Sequence, residues 1–381
     1  MTDTAAPHDT ATTFADLTTL RVGGPARQLV RAATEAELVD AVRTADAAGE
    51  PVLVLGGGSN LLVSDDGFDG VVVQDARTGV RVEAQDSCGG ASLSVVAGHS
   101  WDELVAEAVE NGWVGLEALS GIPGTVGASP VQNVGAYGQE VSGVISSVRV
   151  YDRAEGRTRL LALTELGFGY RTSVLKRSTH VADDEGRTWR PTPRYVVLEV
   201  AFQARLGSLS APVGYAELAR TLGVDLGARA PMSQVREAVL ALRGSKGMVL
   251  DADDLDTWSA GSFFTNPVVP AATVLPDGAP RYPVRGVRPE TTTGPSLGAV
   301  DESVVKTSAA WLIEQAGFTR GYAVDAAARA ALSSKHTLAL TNRGGARASD
   351  LVALARTVRD GVRDRFGVTL VPEPVLVGVE L

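Results

Sequence analysis

Between Gly115 and Gly138 the chain drops its periodicity and becomes dense in glycine. The stretch holds Gly121, Gly124, Gly127, Gly135 and Gly138, with Pro123 and Pro130 between them. Inside an otherwise regular chain this reads as backbone shaped around something. Glycine permits positive φ and lets a ligand approach the main chain closely, and such segments carry function more often than packing does. Glycine is also frequent overall, at 42 of 381 residues, above the usual ~7%.

A second glycine segment lies upstream. Pro51-Val52-Leu53-Val54-Leu55 is a short apolar run that ends in Gly56-Gly57-Gly58-Ser59-Asn60, which predicts a buried strand running into a loop. Exposed N–H groups in such a loop can bind phosphate oxygens. The segment fits neither common template. Leu61 stands where G-x-G-x-x-G needs glycine, and no Lys-Ser/Thr follows as in a P-loop. By itself the triplet fits a plain tight turn equally well. For Gly121-Ile122-Pro123-Gly124-Thr125-Val126-Gly127-Ala128-Ser129, backbone contact with a ligand is the better reading.

Regular elements flank these segments. Thr34-Glu35-Ala36-Glu37 predicts a capping box that opens a helix with Leu38, Val42 and Ala45 inward, and Ser100-Trp101-Asp102-Glu103 predicts a second, for a helix ending near Asn111-Gly112. Strands are expected at Gly70–Gln74, Val148–Tyr151 and Tyr195–Val200, and a helix at Ser233–Leu242 followed by a linker at Arg243–Gly247. Residues 276–305, rich in Pro, Gly and Thr, predict a long loop. Beyond them come a helix through Trp311 and Ile313, a strand at Leu338–Leu340, a helix from Leu351 to Phe366, and a strand-like end at Val375–Val379. Met1 to Thr12 are small and polar and read as a loose tail.

Composition narrows the function. A formal net charge of −10 disfavours nucleic acid as a partner. An anionic small molecule would need a local cluster of Arg and Lys. Cys88 is the single cysteine, so no intramolecular disulfide can form, which suits a reducing compartment. His8, His99, His180 and His336 are scattered, so no metal site is expected. No apolar run is long enough to span a membrane.

The two glycine segments, with Gln132-Asn133-Val134-Gly135-Ala136-Tyr137-Gly138, resemble the flavin-binding half of the UDP-N-acetylenolpyruvoylglucosamine reductase family. The resemblance continues through Phe168-Gly169-Tyr170-Arg171-Thr172-Ser173 and Gly261-Ser262-Phe263-Phe264-Thr265-Asn266-Pro267, and ends at Pro372-Glu373. These segments keep the family's order and span nearly the whole chain from about residue 17.

The resemblance implies an α+β fold: a two-lobed FAD-binding domain of the vanillyl-alcohol-oxidase/PCMH type plus a C-terminal α+β substrate lobe. Residues 1–16 would be a flexible tail. Residues 17–80, completed by 368–381, would form the first FAD lobe, 81–245 the second, and 246–367 the substrate lobe. FAD would be bound non-covalently by Gly56, Gly57, Gly58, Ser59, Asn60, Leu61, Gly121, Ile122, Pro123, Gly124, Gly127, Ala128, Ser129, Asn133, Gly135, Ala136 and Tyr137. NADPH would be the co-substrate.

The implied reaction reduces the enolpyruvyl group of UDP-N-acetylglucosamine enolpyruvate to give UDP-N-acetylmuramate for peptidoglycan. The substrate would take a hydride on its β-carbon and a proton from Ser262 on its α-carbon. Arg171 and Glu373 would stabilise the enolic intermediate. Pro374, where relatives often carry an aliphatic residue, bears on how Glu373 is placed. Tyr170, Tyr215, Lys246, Asn266 and His336 would bind the substrate, and Tyr215 points to the subclass that closes a tyrosine-bearing loop. A cytoplasmic monomer without nucleic-acid or membrane partners is implied.

Taken without the resemblance, Ser262 is as well a turn serine and Arg171 a surface arginine. Two other functions stay open: a flavin alcohol or sugar oxidase, although only His99 lies near the glycine segments for covalent attachment, and a non-catalytic nucleotide-sugar binding protein.

Overall fold

The computed structural model describes residues 12–285 and 299–381. Helix α1, Phe14–Leu17, opens the described chain, and Phe14 is fully buried. Ordered structure therefore reaches into the expected 1–16 tail. Residues 1–11 of that tail lie outside the described residues.

The first lobe is a three-stranded parallel sheet in the order Ala26–Ala32, Phe68–Asp75, Val52–Leu55. Parallel strands are buried on both sides and read as continuous apolar runs, as Val71-Val72-Val73 does. Helix α2, Glu35–Ala48, packs Leu38, Val42 and Ala45 against the sheet, and its capping box at Thr34 and Glu37 forms as expected. The C-terminal strand Val375–Val377 pairs in parallel with Leu61–Val63, so the chain's end completes this lobe's core around Leu53, Leu55 and Val377.

The second lobe is an antiparallel sheet ordered Arg157–Ala162, Ile145–Asp152, Tyr195–Leu206, Gly90–Val96, Val80–Asp86. Gly90–Val96 alternates, with Ala91, Leu93 and Val95 inward, the pattern of a sheet with one wet face. Helix α3, Trp101–Asn111, covers that face and ends at Gly112 with φ 70°. The expected capping box at Ser100 does not form. Ser100 makes no side-chain cap bond; Asp102 turns outward to accept from the Gly121 N–H at 2.6 Å and both Arg236 terminal nitrogens. Helix α4, Val174–Arg177, and helix α5, Ala216–Leu222, are short. Helix α6, Met232–Ser245, continues through Arg243, so the expected linker is helical for its first three residues.

Helix α7, Ala309–Gln315, and helix α8, Ala348–Phe366, build the last lobe around Leu312, Ile313, Leu351, Leu354 and Val358. Its strand pair is Ala330–Leu332 with Leu340–Asn342, two residues beyond the expected Leu338 start. The expected loop at 276–305 is in part a ladder. Val304–Lys306 pairs with Val268–Pro270, and Tyr282 bridges Lys306; residues 286–298 lie outside the described residues.

The segment before the first lobe straps the last one down. Thr19 Oγ1 donates to the Ser259 carbonyl at 2.7 Å, and Asn342 Nδ2 donates to the carbonyls of Leu20 and Arg21, both at 3.1 Å. Among the described residues no helix is long and apolar enough to cross a membrane.

Candidate active site

The two glycine segments meet. A Cβ built on Gly57 would lie 2.7 Å from Gly124 Cα, and one on Gly58 would lie 1.9 Å from the Leu17 carbonyl oxygen. Gly58 also sits at φ +63°. Only glycine satisfies such positions, because any side chain collides with rigid main chain. Ser59 Oγ then donates to the Pro123 carbonyl at 2.9 Å and ties the loops together.

Between these loops runs a cleft of about 1000 Å³, lined by Gly56–Leu61, by Ile122–Thr125 and Gly127–Ser129, by Gln132, Val134 and Gly135, and by Pro372–Gly378. Several implied cofactor residues lie elsewhere. Gly121, Asn133, Ala136 and Tyr137 do not line it. Asn133 is buried and shapes the loop instead, donating to Glu140 and to the Gly169 carbonyl. Gly121 gives its N–H to Asp102, and Tyr137 packs on Tyr215. The wall from Arg190 to Pro193 and from Tyr195 to Val197 was not signalled in the sequence, because it carries no motif.

The cleft suits a dinucleotide in three respects. Its size matches the upper range of cofactor pockets. The N–H groups of Gly57, Gly58, Ser59 and Asn60 find no acceptor among the described residues, as a phosphate-binding loop requires. On a chain of net charge −10, the cleft still gathers Arg171, Lys176, Arg190 and Arg243. Of these, Arg243 Nε is buried with no hydrogen-bond partner among the described residues, a donor held ready for an acceptor that the protein does not supply.

Ser262 lines the mouth of this cleft beside Gly261 at φ +70°. Its neighbour Phe263 is strung between two segments. The Phe263 N–H donates to the Leu338 carbonyl and its carbonyl accepts from the Glu373 N–H, both at 2.8 Å. Phe264 bridges Pro372. Ser262 and Glu373 thus lie on adjacent paired segments. Pro374 does not disturb them. The N–H groups of Glu373 and Val375 are the ones bonded, the latter to Asn60, so a residue lacking N–H fits between them.

Arg171 faces Glu373 from the second lobe, with Nε 3.3 Å from Glu373 Oε1. It sits at the tip of a tight turn closed by reciprocal Gly169–Thr172 bonds, at φ +51°. Its Nη2 donates to the Gly135 carbonyl at 2.8 Å. Among the described residues the non-glycine residues at positive φ are Arg21, Asn133, Tyr137 and Arg171. Three of the four surround this site, where backbone strain is commonly held for function.

The remaining implied residues form a second group beside Arg171. Tyr170 Oη accepts from the Asn266 N–H at 3.3 Å, and Asn266 Oδ1 accepts from the Ala309 N–H, so Asn266 couples α7 to the second lobe. Burial raises the Tyr170 hydroxyl above its ordinary pKa. Lys306, which the sequence did not single out, places its ammonium 4.2 Å from the centre of the Tyr170 ring. Lys246 Nζ lies 2.5 Å from Glu217 Oε2 on α5 and 5.7 Å from the Tyr137 ring. Tyr215 stands edge-on to Tyr137 at 5.4 Å. Burial pushes Tyr137 up to about 12. His336 is pushed down to about 4, first by burial and then by Lys246, so it is neutral at pH 7. Neither Lys246 nor His336 lines the cleft itself.

The chain is similar to known proteins over nearly its whole length. Residues 253–377 match the model of the UDP-N-acetylenolpyruvoylglucosamine reductase C-terminal domain, and residues 26–161 match that of an FAD binding domain. The chain is 53% identical to the UDP-N-acetylenolpyruvoylglucosamine reductase of Cutibacterium acnes, over 96% of this chain and 89% of that protein. It is 55% identical to that of Nocardia farcinica, over 97% and 90% respectively, and 51% identical to that of Thermobifida fusca, over 97% of each. The crystal structure of the Thermus caldophilus reductase covers 96% of this chain and 97% of its own, at TM-score 0.57 and 26% identity.

Proposed function

The chain belongs to the UDP-N-acetylenolpyruvoylglucosamine reductase family, and from that premise we propose how its residues divide the reaction. The protein is an FAD-dependent oxidoreductase. It reduces the enolpyruvyl group of UDP-N-acetylglucosamine enolpyruvate to UDP-N-acetylmuramate with NADPH, a step in peptidoglycan precursor synthesis.

The two glycine segments that line the cleft would hold FAD, which would supply the hydride for the substrate's β-carbon. Ser262 gives the α-carbon its proton. Arg171 and Glu373 stabilise the negative charge that gathers on the enolic group between the two transfers. The Phe263 tether carries this reading: its carbonyl joins the Ser262 segment to the Glu373 segment through one bond of 2.8 Å, and the Arg171 guanidinium lies 3.3 Å from the carboxylate. Fixed placement matters here because a serine hydroxyl is a weak acid and acts only when well positioned.

Tyr170, Tyr215, Lys246, Asn266 and His336 form the substrate side. Lys246 serves the diphosphate, and a neutral His336 offers a hydrogen bond without adding charge. Tyr215, partly exposed on the loop before α5, belongs to a closing loop of the tyrosine-bearing subclass. The residues divide as 17–80 with 368–381, 81–245 and 246–367. The same reading puts the enzyme in the cytoplasm, where NADPH and nucleotide sugars are available, as a monomer.

The test is a pair of half-reactions. Ser262→Ala should bind FAD and accept reduction by NADPH at the normal rate, yet reduce the enolpyruvyl substrate about 10²- to 10⁴-fold more slowly, the range expected for loss of a general acid. Normal turnover by Ser262→Ala would remove the proton-donor role. NADPH consumption that ignores the substrate would favour an oxidase.

A further inference from the structure

Glu373 is held by more than Arg171. Gln132 Nε2 donates to Glu373 Oε1 at 3.1 Å, and Lys176 Nζ donates to Gln132 Oε1 at 3.0 Å. The three side chains form one line along the cleft wall, lysine to amide to carboxylate, and all three line the cleft. Among the described residues Lys176 makes no ion pair, since no carboxylate oxygen lies within 4.0 Å of its ammonium. The backbone beneath is fixed on both sides. Ser173 caps α4 by accepting from the Lys176 N–H, and its Oγ donates to the Val131 carbonyl at 2.6 Å, next to Gln132.

The donor chemistry of this line is asymmetric. An ammonium can only donate, and an ionised carboxylate can only accept. A primary amide between them has one satisfactory orientation, with its carbonyl toward Lys176 and its NH2 toward Glu373. Without the ammonium the amide oxygen loses its partner, and only the bond to Glu373 still holds the Gln132 side chain. That bond would then be less firmly placed, and with it the position of Oε1. Glu373 Oε2 accepts no hydrogen bond among the described residues, which leaves it for the substrate.

From this geometry we infer that Lys176 is a positioning residue for the reduction: by orienting the Gln132 amide it pins one oxygen of Glu373 and leaves the other directed at the substrate's enolic group. The inference rests on the role given to Glu373 above. Lys176 touches no reacting atom, so its effect passes through Gln132 and Glu373. Burial lowers the lysine's pKa, while the nearby Glu373 charge works in the opposite sense; a charge held in such a place costs stability unless it is hydrogen-bonded, as Lys176 is to Gln132.

The experiment is a double-mutant cycle on the holoenzyme. The step measured is reoxidation of NADPH-reduced enzyme by substrate in stopped flow. Substrate affinity is measured separately, from the shift in flavin absorbance on binding. Lys176→Met should slow substrate reduction about ten- to hundredfold, the range for a hydrogen bond to a charged group. Substrate affinity and flavin reduction by NADPH should change less than about twofold. Lys176→Arg, which keeps a donor, should recover most of the rate. Added to Glu373→Gln, Lys176→Met should cost little more, because residues acting as a unit are not additive. Gln132→Met should show the same loss, and it serves if Lys176→Met folds poorly.

Additive losses in the cycle would overturn the inference, as would equal slowing of both half-reactions or loss of FAD from Lys176→Met. A fully active Glu373→Gln would instead overturn the role assigned to Glu373, so the two failures are distinguishable.

Discussion

At the scale of single residues, the site is a set of main-chain positions before it is a set of side chains. Gly57 shows this best. Its missing side chain is what lets the upstream loop touch Gly124, and there is no flexible atom nearby to give way. Gly57→Ala should therefore fold, because the collision is confined to two loops, but should lose FAD. We expect at least a tenfold weaker flavin dissociation constant by fluorescence titration, since separating the loops by about 1 Å displaces several phosphate-facing N–H groups. Unchanged flavin affinity would mean that the loops can part without cost. Arg171 makes a similar point with a side chain attached. It accepts φ +51°, a conformation costing roughly 1–3 kcal/mol outside glycine, and the return is a guanidinium braced by the Gly135 carbonyl and aimed at Glu373.

At the scale of elements, the cleft depends on how helix ends are used. The N-terminus of α8 is capped from another lobe. Asp65 Oδ1 accepts from the Ala348 N–H at 2.7 Å and Oδ2 from the Ser349 N–H at 3.1 Å. These bonds, with Arg347 nearby, hold the Asp65 carboxyl below its ordinary range against the opposing effect of burial. Asp65→Ala should cost about 1 kcal/mol of stability, the usual worth of an N-cap. The loss should appear as a lower denaturant midpoint at neutral pH. It should shrink at low pH, where the wild-type carboxylate is protonated and its advantage is gone. A variant as stable as the parent would show that water caps the helix equally well. Asp102 illustrates a different economy. A first-turn aspartate that would favour its own helix through the dipole also reaches Gly121 and Arg236, and so locks α3 to the glycine loop and to α6.

At the scale of the whole molecule, the lobes are joined by ion pairs and by chain segments that cross between them. Glu35 on α2 meets Arg149 on the second lobe's sheet through two bonds of 2.6 and 2.7 Å. The 12–25 segment straps the last lobe to the first. On the substrate side the link is Lys246 with Glu217, a half-buried pair. If Lys246 serves the diphosphate as proposed, Glu217 competes with the substrate for the same ammonium and holds the Tyr215 segment in place until it is displaced. Glu217→Gln should then lower the substrate KM about two- to fivefold, the worth of a partly exposed pair of up to ~1 kcal/mol. A raised KM would mean instead that Glu217 orients Lys246 for the substrate.

Much of this was legible in one dimension. Two of the first lobe's parallel strands, Val52–Leu55 and Phe68–Asp75, announced themselves as apolar runs, α2 by its capping box, and the cleft by glycines spaced for no regular element, because each of these signals is local; the third, Ala26–Ala32, carries no such run. The strand Val80–Asp86 went unread although Val80, Val82 and Ala84 alternate with Arg81, Glu83 and Gln85; in the fold it is exposed along most of its length. Nor was the true partner of Asp102: a carboxylate's choice between its own helix and a distant arginine depends on what the fold brings near. The same holds for the site. Sequence alone determined which residue types were available, a serine after glycine, an arginine in a tight turn and a glutamate near the end. Tertiary structure decided that Phe263 would tie the first of these to the last, that four of the implied cofactor residues would lie outside the cleft's lining, and that Lys176 would stand one amide away from Glu373. The reason is physical: propensity and pattern act over a few residues, whereas hydrogen-bond partners separated by as many as 322 positions are chosen only when packing closes the space between them.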